Sequence, residues 1–302
     1  MIKIGDPVRT KNVTARRAEL PSIEQRAITT LAREASVEMT WHDVDQLAIC
    51  RSSIAPATAV FVSYLPGQTW RQTVETCAAV RDHGFEPVPH IPVRRLTDRA
   101  TFARLMSDLV ANAHVSRVLL IAGDAPQPEG PFAATLDALQ TGVLAEHGIR
   151  RIFVAGHPEG HPRLADDELR RAERAKLAFA ASRGFELVFL TQFFFEPAPF
   201  LSWARMLRGE GVRARLVAGL AGPARLTTLF KYALRCGVGP SIRALGARPA
   251  QLARLTTERD PEPIVRAIAG ELGQGKLGDI GIHLFSFGGL ARTCGWLHTL
   301  GA

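Results

Sequence analysis

The sequence predicts an α/β chain closed into a (β/α)8 barrel, the TIM barrel architecture, and three observations carry that prediction. Eight short apolar or β-branched runs alternate with longer segments whose apolar residues recur at helical spacing. The alternation fills about 270 residues, a usual length for eight βα units. No GxGxxG follows an early strand, as it would in a doubly wound dinucleotide-binding sheet.

In chain order, residues 1–34 read as a basic arm with Arg9, Lys11, Arg16 and Arg17, ending in a short helix around Ile23 to Arg33. Residues 35–302 read as one barrel domain. Its predicted strands are SVEMT (36–40), AVFVSY (59–64), EPVPHI (86–91), RVLLIAG (117–123), RIFVAG (151–156), ELVFLTQ (186–192), ARLVAGL (214–220) and DIGIHLF (279–285). Their near-continuous apolar character is that of parallel strands covered by helices. The covering helices are read at Trp70 to Asp82, Arg99 to Ala113, Asp166 to Ser182 and Pro199 to Arg208. Almost sixty residues separate the seventh and eighth strands, room for two extra helices, with Pro240 and Pro249 as breaks.

Apolar residues make up 46% of the chain and charged residues 22%, a balance that builds a core without metals or cross-links. The net charge of +8 is scattered as single arginines, which favours anionic small molecules over nucleic acid as partners. Cys50, Cys77, Cys236 and Cys294 form no CxxC or zinc spacing, so reduced thiols in a cytoplasmic protein and no metal are expected. The first residues lack an apolar signal core, and no run approaches the roughly 18 apolar residues of a membrane span.

In such a barrel the chemistry sits at the C-terminal strand ends. Glu38 lies between Val37 and Met39, so alternation turns it into the barrel if those two face the helices. There it is either a general acid with a raised pKa or a salt-bridged structural glutamate. Asp124 follows the fourth strand, either as a stabiliser of substrate cation or as a loop cap. Gln192 closes the sixth strand against Phe193, Phe194 and Phe195, an amide beside an aromatic wall that suits a flat heteroaromatic ligand or is a plain core cluster. His157 and His161 resemble a metal pair, but Pro158 and Pro162 forbid the helix that would align them; on a loop they suit a ligand's phosphate, ribose or ring edge. His90 is a ligand contact or a core histidine. Signatures of P-loop proteins, GxSxG hydrolases and kinases are missing.

At PHI (89–91), GDAP (123–126), GHPEGHP (156–162) and TQFFFE (191–196) the chain resembles the methylenetetrahydrofolate reductase family, from about Ser36 to the end. The resemblance implies a (β/α)8 barrel that holds FAD, uses NADH or NADPH and interconverts 5,10-methylenetetrahydrofolate and 5-methyltetrahydrofolate, in a methyl-forming or a demethylating pathway. It implies Glu38 as the acid that opens the methylene bridge, Asp124 beside the pterin, and Gln192 as pterin anchor with Phe194 and Tyr232 as aromatic contacts. Arg292 is placed to reach a glutamate tail. The flavin contacts it implies are His90, Phe132, Ala133, His157, His161, Glu173 and Lys176. Several of these depart from the family pattern, which has arginine at Ala122, threonine at Leu65, tyrosine at Phe132, and Asp and Lys at Glu173 and Ala180. Lys176, Arg174 and Arg183 offer replacement charge. Two further readings stand beside this one: a flavin-independent reductase with direct hydride transfer, and a folate-binding barrel without turnover.

Overall fold

The computed structural model describes residues 22–161, 163–236, 258–275 and 277–302. The basic arm and both predicted proline breaks, Pro240 and Pro249, lie outside the described residues. Eight parallel strands close into a barrel, β1 (Ser36–Met39), β2 (Ala59–Val62), β3 (Glu86–Pro92), β4 (Arg117–Ile121), β5 (Arg151–Gly156), β6 (Glu186–Thr191), β7 (Arg215–Ala221) and β10 (Ile280–Phe285). A short antiparallel ribbon, β8 (Ala224–Arg225) with β9 (Glu258–Arg259), lies between the last two barrel strands. All eight predicted strands are present, their ends displaced by no more than two residues.

The coat begins with α1 (Ile23–Arg33), capped by the Ser22 hydroxyl, which buries Ile28, Leu31 and Ala32. It packs against α10 (Glu262–Leu272) and α11 (Leu290–Gly301). Between β7 and β10 the described residues contain one additional helix, α9 (Leu226–Cys236), before α10. The other helices that matter for the site are α7 (Asp166–Arg183) and α8 (Pro197–Gly209). No helix among the described residues is long and apolar enough to cross a membrane.

Side-chain alternation sorts the apolar residues into two cores. Val37 and Met39 join the large core between strands and helices. The barrel interior is filled by Phe61, Val88, Leu119, Phe153, Val188 and Val217, among others. The period of two that turns Val37 outward turns Glu38 inward, as the sequence predicts. Closure depends on β1 pairing β10, with Ser36 opposite His283 and His283 opposite Gly219 of β7. Gly219 is required by close approach, because a Cβ there would stand 2.2 Å from the Thr191 carbonyl oxygen and 2.9 Å from the Phe285 ring.

Candidate functional site

Directly above the apolar plug, inward positions of three strands bring Glu38, His90 and His283 together. The register that sets Glu38 opposite Phe61 places all three around that ring, with His283 edge-to-face at 4.6 Å and His90 at 6.0 Å. Glu38 Oε2 lies 3.4 Å from His90 Nε2 and 3.5 Å from His283 Nε2. The Ser63 hydroxyl donates to Glu38 Oε1 at 2.6 Å, and Ser36 Oγ is 2.9 Å from His283 Nδ1. His283 is fully buried, whereas the Glu38 side chain is 16% exposed.

Glu38 Oε2, His90 Nε2 and His283 Nε2 are all buried without a well-aligned hydrogen bond. Most buried polar atoms in folded proteins are satisfied, so three converging atoms that do not satisfy one another form a place for a polar ligand atom. The electrostatics correct one expectation. Burial pushes the Glu38 carboxyl up, but the charge of His90, the hydrogen bond and charge of His283 and the Ser63 hydroxyl outweigh it, leaving the pKa below the ordinary carboxylate value. The resting group is a carboxylate, not an acid with a raised pKa. His90 is itself lowered by burial, with Glu38 opposing and His283 adding to that shift.

Aromatic residues line the mouth next to this centre. The parity of β6, in which Val188 and Leu190 face inward, breaks just after Gln192. Phe193 and Phe195 belong to the cluster at the mouth with Tyr232, Phe285 and Phe287. Phe194 does not: it bridges to Leu220 and stacks on Phe200 of α8 at 5.5 Å, inside the outer core. Phe194 therefore offers no ring to the mouth, where Phe195 is the half-buried member of the run. Gln192 is exposed at the rim, its Oε1 accepting the Phe193 N–H at 3.1 Å. Asp124 is also on the rim, 69% exposed, and pairs with Arg95 at 3.4 Å. Arg292 is exposed on α11.

The positions offered to a flavin do not make a dinucleotide cradle. Phe132 is buried in the outer core with its ring against Phe102, so it offers no side chain to a ligand. Glu173 is buried on α7 and ion-paired with Arg170 at 2.8 Å. Arg94, which approaches His161, spends its guanidinium on the carbonyls of Ala133 at 2.9 Å and Ala125 at 3.2 Å. His90 is held at Glu38. The Ala133 N–H donates to Asp137 Oδ2 at 2.9 Å, so what remains is His157, His161 and the buried Lys176. A diphosphate needs charge-assisted donors turned toward it, whereas Lys176 is buried beside Glu173 and burial disfavours the charged form of both histidines.

The proline-bounded loop does bring its two histidines together without a helix, the rings meeting edge-to-face at 5.4 Å. Among the described residues no group of three or more His, Cys, Asp or Glu is placed to hold a metal. Burial, then Lys176, His161 and Arg170, lower the pKa of His157 from 6.5 to about 4. Because the folded pKa lies below the unfolded one, the unfolded chain takes up this proton first, and stability falls as pH drops from about 6.5 toward 4. The loss attributable to this group is on the order of 3 kcal/mol by pH 4. Urea unfolding at pH 7.5 and pH 4 is expected to show that loss in the wild type and to lack it in His157→Gln; equal acid sensitivity in both contradicts it.

No family model matches the chain. Among solved structures it is similar to dihydropteroate synthase from Thermus thermophilus, with a TM-score of 0.48 and 12% identity over 90% of this chain and 93% of that chain. A complex of the dihydropteroate synthase from that organism with 6HMPPP gives a TM-score of 0.46 and 12% identity, covering 89% of this chain and 92% of that one. A likeness at this level says nothing about chemistry.

Proposed function

We propose that the chain is a folate oxidoreductase of the methylenetetrahydrofolate reductase type, interconverting 5,10-methylenetetrahydrofolate and 5-methyltetrahydrofolate with NADH or NADPH as co-substrate. The observation that carries this reading is the carboxylate of Glu38 on the barrel interior, flanked by two imidazoles whose nearest nitrogens lack aligned partners. In the reducing direction the bond from the bridging carbon to N10 breaks, its electron pair goes to N10, and an iminium cation forms at N5. The N10 electron pair takes a proton, and the iminium carbon takes hydride from the reduced nicotinamide. An anionic carboxylate stabilises the cation, and the proton for N10 is assigned to the pair Glu38 and His283, whose facing atoms stand 3.5 Å apart. Ser36 positions His283 through Nδ1 in either protonation state. In the oxidising direction the same carboxylate is the base that accepts that proton.

A second reading, in which the nicotinamide passes hydride to the folate with no flavin between them, is favoured by the burial of Phe132 and Glu173. Both readings are tested by anaerobic oxidation of NADH and NADPH by flavin-free protein, dependent on 5,10-methylenetetrahydrofolate, with and without added FAD. Turnover in both arms is expected. A requirement for FAD would overturn the second reading, and no turnover in either arm would overturn the first.

A further inference from the structure

Beneath the apolar plug, at the strand ends opposite the mouth, the barrel interior turns charged. Val88, Leu119, Phe153, Val188 and Val217 point inward. Two residues earlier on the same strands stand Glu86, Arg117, Arg151, Glu186 and Arg215, which the period of two also turns inward. Arg215 is matched there. It pairs with Asp279 at 2.9 Å and with Glu34 at 3.0 Å, and its guanidinium lies over Gly281, where a Cβ would stand 2.8 Å from Nη2.

The other half of this floor is not matched. Glu86 is buried and spends both oxygens, Oε2 on Arg81 at 2.9 Å and Oε1 on the Ser116 hydroxyl at 2.7 Å. Glu186 accepts from Arg151 Nε at 2.7 Å, which leaves the terminal nitrogens of Arg151 uncommitted among the described residues. Arg117 is half-buried, and among the described residues its guanidinium meets no hydrogen-bond or ion-pair partner. Burial lowers its pKa; Glu86 opposes that shift and Arg151 adds to it. The register sets Arg117 of β4 directly opposite Arg151 of β5, so two like charges are cross-strand neighbours on the inner face. Such a pair costs stability unless something of opposite charge lies between its members.

A guanidinium presents its donors in a rigid fork, and two forks side by side match the oxygens of a small tetrahedral anion. Bridging them replaces repulsion with charge-assisted bonds. The strand order places Glu86 of β3 on one side of the pair and Glu186 of β6 on the other. An extended polyanion would meet both carboxylates, so the field favours a compact anion.

We propose that Arg117 and Arg151 form a site for a small tetrahedral oxyanion, of the class of inorganic phosphate, on the barrel floor. The site lies at the opposite end of the strands from Glu38 and uses none of the groups assigned to the reaction. Its occupant neutralises the unmatched half of the floor and stabilises the closed barrel.

Calorimetric titration with inorganic phosphate, at an ionic strength held constant with sodium chloride, tests the site. The wild type is expected to bind one phosphate per chain, half-filled on the order of 1 mM, and Arg117→Met to weaken this at least about tenfold. Arg71→Met removes an exposed arginine elsewhere and is expected to leave the affinity unchanged. In urea unfolding, phosphate at about ten times the half-filling concentration raises the wild-type midpoint and not that of Arg117→Met. In chloride alone the variant is expected to be at least as stable as the wild type, because a like-charged neighbour is gone. No saturation in the wild type below about 50 mM, where phosphate acts only as bulk salt, would overturn the site, as would equal affinity in Arg117→Met. A clear loss of stability in Arg117→Met in chloride would overturn it too, since Arg117 would then be held by the protein itself.

Discussion

Replacing Glu38 with glutamine is expected to lower turnover by about two to four decades while leaving folate affinity within a few-fold, the usual size for loss of a group that moves a proton in the transition state. The amide has the carboxylate's shape, and its oxygen still accepts the Ser63 hydroxyl, so the floor of the site keeps its form. It neither carries the negative charge set between His90 and His283 nor takes and returns a proton. Steady-state turnover and equilibrium binding measured on one preparation separate the two effects. Undiminished turnover in Glu38→Gln would remove this residue from the mechanism.

Phe61→Ala is expected to destabilise the fold by about 3–5 kcal/mol, the range for truncating a fully buried aromatic residue. Phe61 lies at the centre of the barrel interior, meeting Phe153 edge-on at 4.9 Å below and the two imidazoles above. Removing the ring also takes away the surface on which His283 and His90 rest. A misplacement of that kind reduces turnover roughly tenfold or more in whatever fraction remains folded. Urea unfolding gives the first number, and turnover at a urea concentration where both proteins are folded gives the second. A loss of stability under about 1 kcal/mol would mean that the interior closes over the gap.

The barrel was legible because each strand needs only a short apolar run, and every run was there to read. The inward position of Glu38 was legible for the same reason, since Val37 and Met39 on either side fix its parity. His283 was harder to read as a partner of Glu38. His283 stands among the polar residues of the strands, yet only the register between the last strand and the first brings it within 3.5 Å of the carboxylate. The sign of the Glu38 pKa was missed with it, because burial is a local property whereas the opposing groups come from distant strands. Phe194 shows a smaller failure: the parity of β6 would turn it inward with Val188 and Leu190, but that parity breaks where the strand ends at Thr191. Phe132 and Glu173 were placed by correspondence of position alone, which carries no information about which way a side chain points.

The bond between Ser36 and His283 joins residues 247 positions apart, across the seam where the first barrel strand meets the last. A contact of such long range forms only after nearly the whole chain is available, and barrels rich in such pairings fold slowly. During synthesis, then, the first barrel strand must wait for its neighbour at the seam, with one edge unpaired and open to wrong partners. The same arrangement makes the proton-handling centre a late product of folding. A chain released before residue 283 carries Glu38 but not the imidazole that completes its surroundings, so fragments of this protein are expected to be inert without any separate control.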